Sequence, residues 1–290
     1  MSTSVATLSS TGTAPAGRDN RVRRAWWKTT IGVILTAVML FPVYWMVNVS
    51  LTPRDAIRSA DLFPHNPTFE HYSQALSQQL PYLGTSLLVG LGTVALTLLI
   101  SAPAGFAVSR LFVPGRRVLN FSLIVAQMIP AVVMALGFYQ IYSRLDILNT
   151  VPGLILADST IAVPFAVMLF SAFMAGIPGE LLQAAQIDGA SHWRTFRSVV
   201  LPISRNSAVT VALFAFLWAW SDFLFASTLN REGGNLRPIT MGIYDFIGAQ
   251  NQEWGPMMAT AVIASIPTAV LLVVAQRYVA AGVTAGAVKD

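Results

Sequence analysis

The chain has 290 residues, of which 54% are hydrophobic and 11% charged, against about 25% charged in an ordinary soluble domain. Apolar residues in that proportion cannot be hidden in a soluble core of this size, and they fall in blocks of about 20, the length a helix needs to cross the hydrocarbon of a bilayer. The net charge of +5 does not mark a nucleic-acid binder, because the basic residues lie in short segments between apolar blocks; the absence of cysteine excludes disulfides, thiol chemistry and Cys/His zinc sites.

Residues 1–17 are rich in Ser, Thr, Ala and Gly and cannot bury an apolar face. With Arg18, Arg21, Arg23, Arg24 and Lys28, residues 1–30 read as a disordered basic cytoplasmic tail, leaving 31–290 as one transmembrane domain. The apolar run Ile31–Leu51 is too long for a signal-peptide core and has no small-residue cleavage site after it, which predicts an uncleaved first span. The same length test predicts five more, at about Leu83–Val108, Leu119–Tyr142, Gly153–Phe173, Asn206–Thr228 and Met257–Tyr278. Pro42, Pro103, Pro130, Pro164 and Pro267 fall inside these spans, where neighbouring helices can satisfy the carbonyls they free. The expected fold class is an all-α membrane protein with six transmembrane helices.

Basic residues orient the spans. With the N-terminus inside, the inner segments hold the N-terminal cluster, then Arg110, Arg116, Arg117, Arg194, Arg197, Arg205, Arg277 and Lys289. The outer loops hold only Arg54, Arg58, Arg144, Arg231 and Arg237. This asymmetry predicts both termini in the cytoplasm.

The inner segment 177–203 carries the most information. Pro178 and Glu180 suit a helix start, and Gly189 suits a helix end that needs a positive φ. Trp193, Phe196 and Val200 share one side of a second short helix ahead of Pro202. The segment reads as a helix–turn–helix at the membrane surface that leaves Ala184, Ala185 and Gly189 open to close approach. From these features alone it is either an interfacial amphipathic hairpin or a docking surface for another protein.

Its residue order resembles the EAA loop of ATP-binding cassette (ABC) importer permeases: Glu-Ala-Ala, three residues, Gly, nine residues, Ile-x-Leu-Pro. Ala184, Ala185, Asp188, Gly189, Leu201 and Pro202 fall on that pattern; Gln183 stands in place of Glu and Val199 in place of Ile. Gln183 keeps the hydrogen-bonding capacity of the usual Glu and loses its charge. Pro67–Tyr72, Leu148–Thr150, Trp220–Phe225 and Gly282–Lys289 also look like the shorter, second permease subunit of maltose-type carbohydrate importers.

The resemblance implies the type I ABC importer permease architecture in a bacterial inner membrane. It implies a second permease subunit, two ATP-binding cassette ATPase subunits, an extracytoplasmic solute-binding protein and a di- or oligosaccharide as solute. Coupling to the ATPase would run through Glu180, Gln183, Ala184, Ala185, Asp188, Gly189 and Pro202. The chain itself would be no enzyme and hold no cofactor, ATP and Mg²⁺ being bound by the partner ATPase. The residues agree independently: a Walker A loop needs Gly-Lys-Ser/Thr, and Lys28 follows Trp27 while Lys289 follows Val288.

Asp222 lies beside Trp218, Trp220 and Phe223 near the outer part of the fifth span. An intramembrane carboxylate among aromatic faces suits a sugar path, and it equally suits a cap or a pair with a neighbouring span, with Trp as an interfacial anchor. Asp158 is a weaker candidate of the same kind. The outer loop with Arg231, Gly233, Gly234 and Asn235 corresponds, by the resemblance, to one that reaches the binding protein; otherwise it is a solvated connector. No catalytic or metal-ligating set is expected, since His65, His71 and His192 are scattered. The rival from another class is an ion-coupled secondary transporter of a small solute, which usually shows internal repeats; no clear repeat is visible.

Overall fold

A computed structural model describes residues 19–57, 61–247 and 253–287, with side chains from 26 to 276 within that range. The described residues form helices and no β-strand. Among the described residues, four helices are long and apolar enough to cross a bilayer: Trp26–Leu51 within α1 (Asp19–Leu51), α2 (Glu70–Arg110), α5 (Val151–Ala175) and Trp254–Gln276 within α12 (Trp254–Ala287). Two bent pairs raise the number to six if each crosses as one unit.

The first bent pair is α3 (Arg116–Gln127) and α4 (Ala131–Arg144), whose axes meet at 93°. The continuous span expected over Leu119–Tyr142 is therefore broken. Pro130, which has no N–H for the helical ladder and disfavours helical geometry at Ile129, stands at the break, with ψ 130° as the N-cap of α4. The second pair joins the segment His192–Ile203 to α9 (Arg205–Ser221) at 77°. The expected span Asn206–Thr228 also stops early: α9 ends at Ser221, Asp222 is extended, and a separate short helix α10 follows (Leu224–Leu229).

Two further boundaries differ from expectation. The helix starts at Asp19, so residues 19–30 are helical where a disordered tail was expected; no Gly or Pro interrupts them, and the helix runs on beyond its apolar stretch. Residues 1–18 lie outside the described residues. At the other end of the bundle, α2 begins at Glu70 instead of near Leu83, and its 41 residues make a rod of about 60 Å, longer than the hydrocarbon is thick.

Helix α2 is the spine, packed against α5, α9 and α12. Between Thr85 and Gly105 its buried face is small or polar except for Val89: Thr85, Ser86, Gly90, Thr93, Thr97, Ser101, Ala102 and Gly105. In lipid no hydrophobic force drives helices together, so such residues hold a pair by letting backbones approach. At Gly105 an added Cβ would lie 2.5 Å from the Phe170 Cβ and 3.1 Å from the Ser171 nitrogen. Around that contact a buried cluster gathers Ala102, Phe106, Ala166, Phe170, Met174, Ile177, Phe196, Val200 and Val211.

Opposite that end, three helices are knit by polar contacts. Thr68 N–H donates to the Leu51 carbonyl at 2.9 Å, and the buried His71 ring has Nε2 2.9 Å from the Thr52 carbonyl. Gln74 donates to the Glu253 carboxylate at 3.0 Å. The end of α1, the start of α2 and the start of α12 thus meet.

Substituting Gly105→Ala is expected to destabilise the protein by about 1–3 kcal/mol, the usual cost of overpacking. Gly84→Ala, where nothing lies within 4 Å of the added Cβ, is the neutral control on the same helix. Thermal unfolding in detergent reads the difference; equal midpoints for the two variants would contradict the close-contact account.

Candidate functional site: the surface hairpin and its anchors

Segment 177–203 folds as the expected hairpin. Helix α6 (Gly179–Ile187) has Pro178 as N-cap and Glu180 in its first turn. It closes in a Schellman motif: Gly189 N–H donates to the Gln186 carbonyl at 3.0 Å and Ala190 N–H to the Ala185 carbonyl at 2.9 Å. That closure needs a left-handed residue, and Gly189 has φ +76°. Ser191 then caps α7 (His192–Thr195), accepting the Arg194 N–H at 3.3 Å. A π-helical turn, Phe196–Val200, leads to α8 (Leu201–Ile203). The ladder widens just ahead of Pro202, whose ring nitrogen has no hydrogen to donate.

One side of this hairpin is locked to the bundle and the other is bare. Ile177, Phe196 and Val200 enter the cluster around Phe106 and Phe170, with the Phe106 and Phe196 rings 5.3 Å apart. Burying side chains of this size contributes roughly 1.5–3 kcal/mol each, more than a helix cap of about 1 kcal/mol, so packing and not capping holds the hairpin. On the other side Gln183, Ala184, Asp188 and Gly189 are exposed and Ala185 is half-buried. Ile187 is 87% exposed and Trp193 63%. Asp188 at the end of α6 makes no hydrogen bond or ion pair with its side chain among the described residues, at the helix end where an acid is electrostatically disfavoured. Of the expected coupling residues, Glu180, Gln183, Ala184, Ala185, Asp188 and Gly189 share α6 and its turn; Pro202 lies apart, in the link to α9.

The aromatic candidates do not converge. Trp218 is 45% exposed, whereas Trp220, two residues on, is buried, stacks on Phe216 at 5.3 Å and donates Nε1–H to the Ala264 carbonyl at 3.0 Å. Phe223 is exposed and stacks on Tyr244 at 4.5 Å. The Asp222 carboxylate accepts the N–H groups of Phe225 at 3.1 Å and Ala226 at 2.9 Å, and its carbonyl accepts the Thr240 hydroxyl at 2.7 Å. From just ahead of the N-cap residue Phe223, the Asp222 carboxylate thereby caps the first turn of α10, one of the roles its sequence position allowed. Asp158 is 1% exposed, and one carboxylate oxygen has no hydrogen-bond partner among the described residues.

The loop with Arg231, Gly233, Gly234 and Asn235 is braced from both sides. Buried Asn230 donates Nδ2–H to the Leu236 carbonyl at 2.8 Å, Asn149 Oδ1 accepts the Glu232 N–H at 2.9 Å, and the Thr85 hydroxyl donates to the Asn235 carbonyl at 3.3 Å. Arg237 lies 4.9 Å from the Tyr82 ring centre and donates to the Tyr82 hydroxyl at 2.6 Å and the Asp245 carboxylate at 3.0 Å. Partial burial alone would lower its pKa, yet the Tyr82 hydrogen bond and the Asp245 charge raise it above the ordinary value, so this brace stays cationic. Arg231, Gly234 and Asn235 are exposed on its tip.

The model of one family, the binding-protein-dependent transport system inner membrane component, matches residues 98–285. The chain belongs to that family. The matched region begins in α2 and includes the hairpin, α5 and α9. Relatives extend the likeness over nearly the whole chain. The trehalose transport system permease protein SugB of Mycobacterium tuberculosis is 32% identical over 271 residues, 92% of this chain and 98% of that protein. The diacetylchitobiose uptake system permease protein DasC of Streptomyces coelicolor is 31% identical over 267 residues, 91% and 96%. The trehalose/maltose transport system permease protein MalG of Thermococcus litoralis is 30% identical over 265 residues, 89% and 95%. In fold, the chain is similar to one from a bacterial ABC transporter involved in the import of the acidic polysaccharide alginate, with a TM-score of 0.78, 19% identity, and 92% and 99% of the two chains covered. The protein is thus a multi-pass inner-membrane permease with the type I ABC importer architecture, and the family match decides against a secondary transporter.

Sequence reasoning missed the anchors. Arg110 counted only as an inner positive charge, but its guanidinium donates to the Met174, Ala175 and Ile177 carbonyls. Tyr244, the partner of Phe223, lay in a loop with no periodicity to place it.

Asp222→Ala is expected to cost about 1–2 kcal/mol through loss of the α10 cap, and Asp222→Asn much less, because Asn also caps. Thermal unfolding of the purified protein checks the order; a solute-contact role would instead make both variants equally stable and equally poor in uptake.

Proposed function

We propose that this chain is the shorter of two permease subunits in an ATP-driven importer of a sugar or glycoside, and that the α6 hairpin is its docking element for the ATPase. The carrying observation is the two-sidedness of the hairpin: Ile177, Phe196 and Val200 are fixed in the bundle while Ala184, Ile187, Gly189 and Trp193 face outward. An element rigidly joined on one side and bare on the other transmits a push. Small residues at Ala184 and Gly189 let another backbone come close, and Gln183 and Asp188 supply hydrogen-bonding groups beside them.

The positive-inside distribution puts this hairpin, with both termini, in the cytoplasm. ATP and Mg²⁺ then belong to two cassette subunits beneath the membrane, because neither Lys28 nor Lys289 lies in a phosphate-binding loop. The permease holds no cofactor and performs no bond chemistry. The braced loop at 230–237 faces the opposite side, where a solute-binding protein would deliver the solute. A sugar or glycoside is the proposed cargo because the named relatives carry trehalose, maltose and diacetylchitobiose. Trp218 and the Phe223–Tyr244 pair are exposed aromatic faces suited to a sugar ring; Trp220 and Asp222 are engaged by partners within the chain.

Gly189 supplies the test. Its left-handed φ disfavours any L-residue by roughly 1–2 kcal/mol, Asn being among the best tolerated. Gly189→Leu in the assembled complex is expected to leave membrane insertion and ATP hydrolysis in place and to abolish most uptake into proteoliposomes, while Gly189→Asn keeps a large part of it. Normal uptake by the Leu variant would sink the assignment of α6 as the docking element.

A further inference from the structure

Arg110 is the last residue of α2 and is half-buried. Its Nε–H donates to the Met174 carbonyl at 2.8 Å, and Nη2 donates to the Ala175 carbonyl at 3.0 Å and to the Ile177 carbonyl. These carbonyls end α5 and begin the link to α6, and a helix C-terminus leaves such groups without partners inside the helix. They also carry the negative end of the helix dipole, which favours a cation there. Among the described residues no carboxylate is ion-paired with Arg110. Its Nε and Nη2 are both directed at main-chain oxygens.

The link itself is Gly176-Ile177-Pro178-Gly179. Glycine at each end gives it backbone freedom, and in chain order it is the joint at which the hairpin could swivel relative to α5. Besides the main-chain bonds from Gly176 N–H to the Phe173 carbonyl at 3.1 Å and from Ile177 N–H to the Met174 carbonyl at 3.2 Å, two side chains hold the joint still: Ile177 in the buried cluster, and the Arg110 fork on the carbonyls on both sides of Gly176. The second also brings in α2, whose close contact with α5 at Gly105 lies little more than one turn away.

We propose that Arg110 is the positioning residue that locks the root of the hairpin to α2, so that a displacement of α6 moves α2 and α5 together as one body. This rests on the reading of α6 as the docking element. The side-chain type follows from the geometry. Three carbonyls on a turning backbone need several N–H donors in a fixed planar fork, which guanidinium has; the Lys ammonium has three donors on a compact, flexible head and cannot hold the same arrangement rigidly.

The experiment uses the complete complex, with both permeases, the ATPase and the binding protein, in proteoliposomes with a labelled disaccharide that the binding protein retains. Arg110→Ala is expected to assemble and hydrolyse ATP at close to the parent rate while moving about tenfold less sugar per ATP, the size of an ordinary lost coupling. Arg110→Lys is expected to fall between the two. Sugar moved per ATP is the deciding readout, because a loss of folded protein lowers uptake and hydrolysis in proportion and leaves the ratio alone. An unchanged ratio in Arg110→Ala overturns the proposal. If that variant does not assemble, Arg110→Lys decides: a lowered ratio supports it, and a parental ratio or a second failure to assemble overturns it. Gly189→Leu is run in parallel. Normal coupling there removes the reading of α6 itself, whereas uncoupling at Gly189 with parental coupling in the Arg110 variants removes only the role of Arg110.

Discussion

Helix α2 comes closest to α5 where its own side chains are absent. In a bilayer the lipid tails are as apolar as the helix surfaces, so the pair is held by close packing and polar contacts. The small face of α2 from Thr85 to Gly105 supplies that packing, and the contact at Gly105 with Phe170 and Ser171 is its tightest point near the hairpin. Phe106, Phe170 and Met174 are buried around it, and Ile177, Phe196 and Val200 find their places in the same cluster. Were the two helices even slightly further apart, the hairpin would lose the wall it leans on and Arg110 would lose the carbonyls it reaches.

From this contact the mechanical character of the chain follows. The hairpin has little internal support: α6 is nine residues long and α7 four, well below the length at which isolated helices persist. It keeps its shape because its inner side is built into the bundle. Its outer side carries Ile187 and Trp193, large apolar groups held in the open, together with Asp188 at an unfavourable helix end. Apart from the contact of the Trp193 ring with Phe196 at 5.3 Å, these groups are bare, which is the pattern expected of a surface completed by another subunit.

The sequence made the long, uninterrupted features legible. Hydropathy alone located α1, α5 and α12, and the left-handed φ of Gly189 could be anticipated from its place after Ala185 and Asp188. It was less informative wherever a backbone break competes with an apolar run. Pro130 has the same one-letter meaning as Pro103 or Pro164, yet those two lie inside continuous helices and Pro130 ends one. What accompanies the break is the packing of α3 on α5 and of α4 on α10, which no local pattern encodes. Asp222 was legible only as an alternative: a carboxylate among aromatics suits a solute or a cap, and which N–H groups it accepts, those of Phe225 and Ala226, depends on the chain breaking just after Ser221. Arg110 was hidden because its partners are main-chain carbonyls 64 to 67 residues away, and a main-chain acceptor leaves no signature in the partner's side chains.

The chain therefore divides its work by position. At one end, Asn149, Asn230 and Arg237 fix the loop that would meet a binding protein; at the other, α2, α5 and the hairpin are packed together and would move as one lever. The absence of cysteine allows this lever to be measured directly with a single introduced pair. Spin labels at Phe112→Cys, just past the end of α2 and 94% exposed, and at Ser198→Cys on the exposed side of the hairpin, report their separation by pulsed electron resonance. If α2 and the hairpin are one body, the distance distribution is the same in the nucleotide-free complex and in the complex trapped with ATP. A distribution that shifts between those two states would show the hairpin moving independently of α2 and would contradict the account.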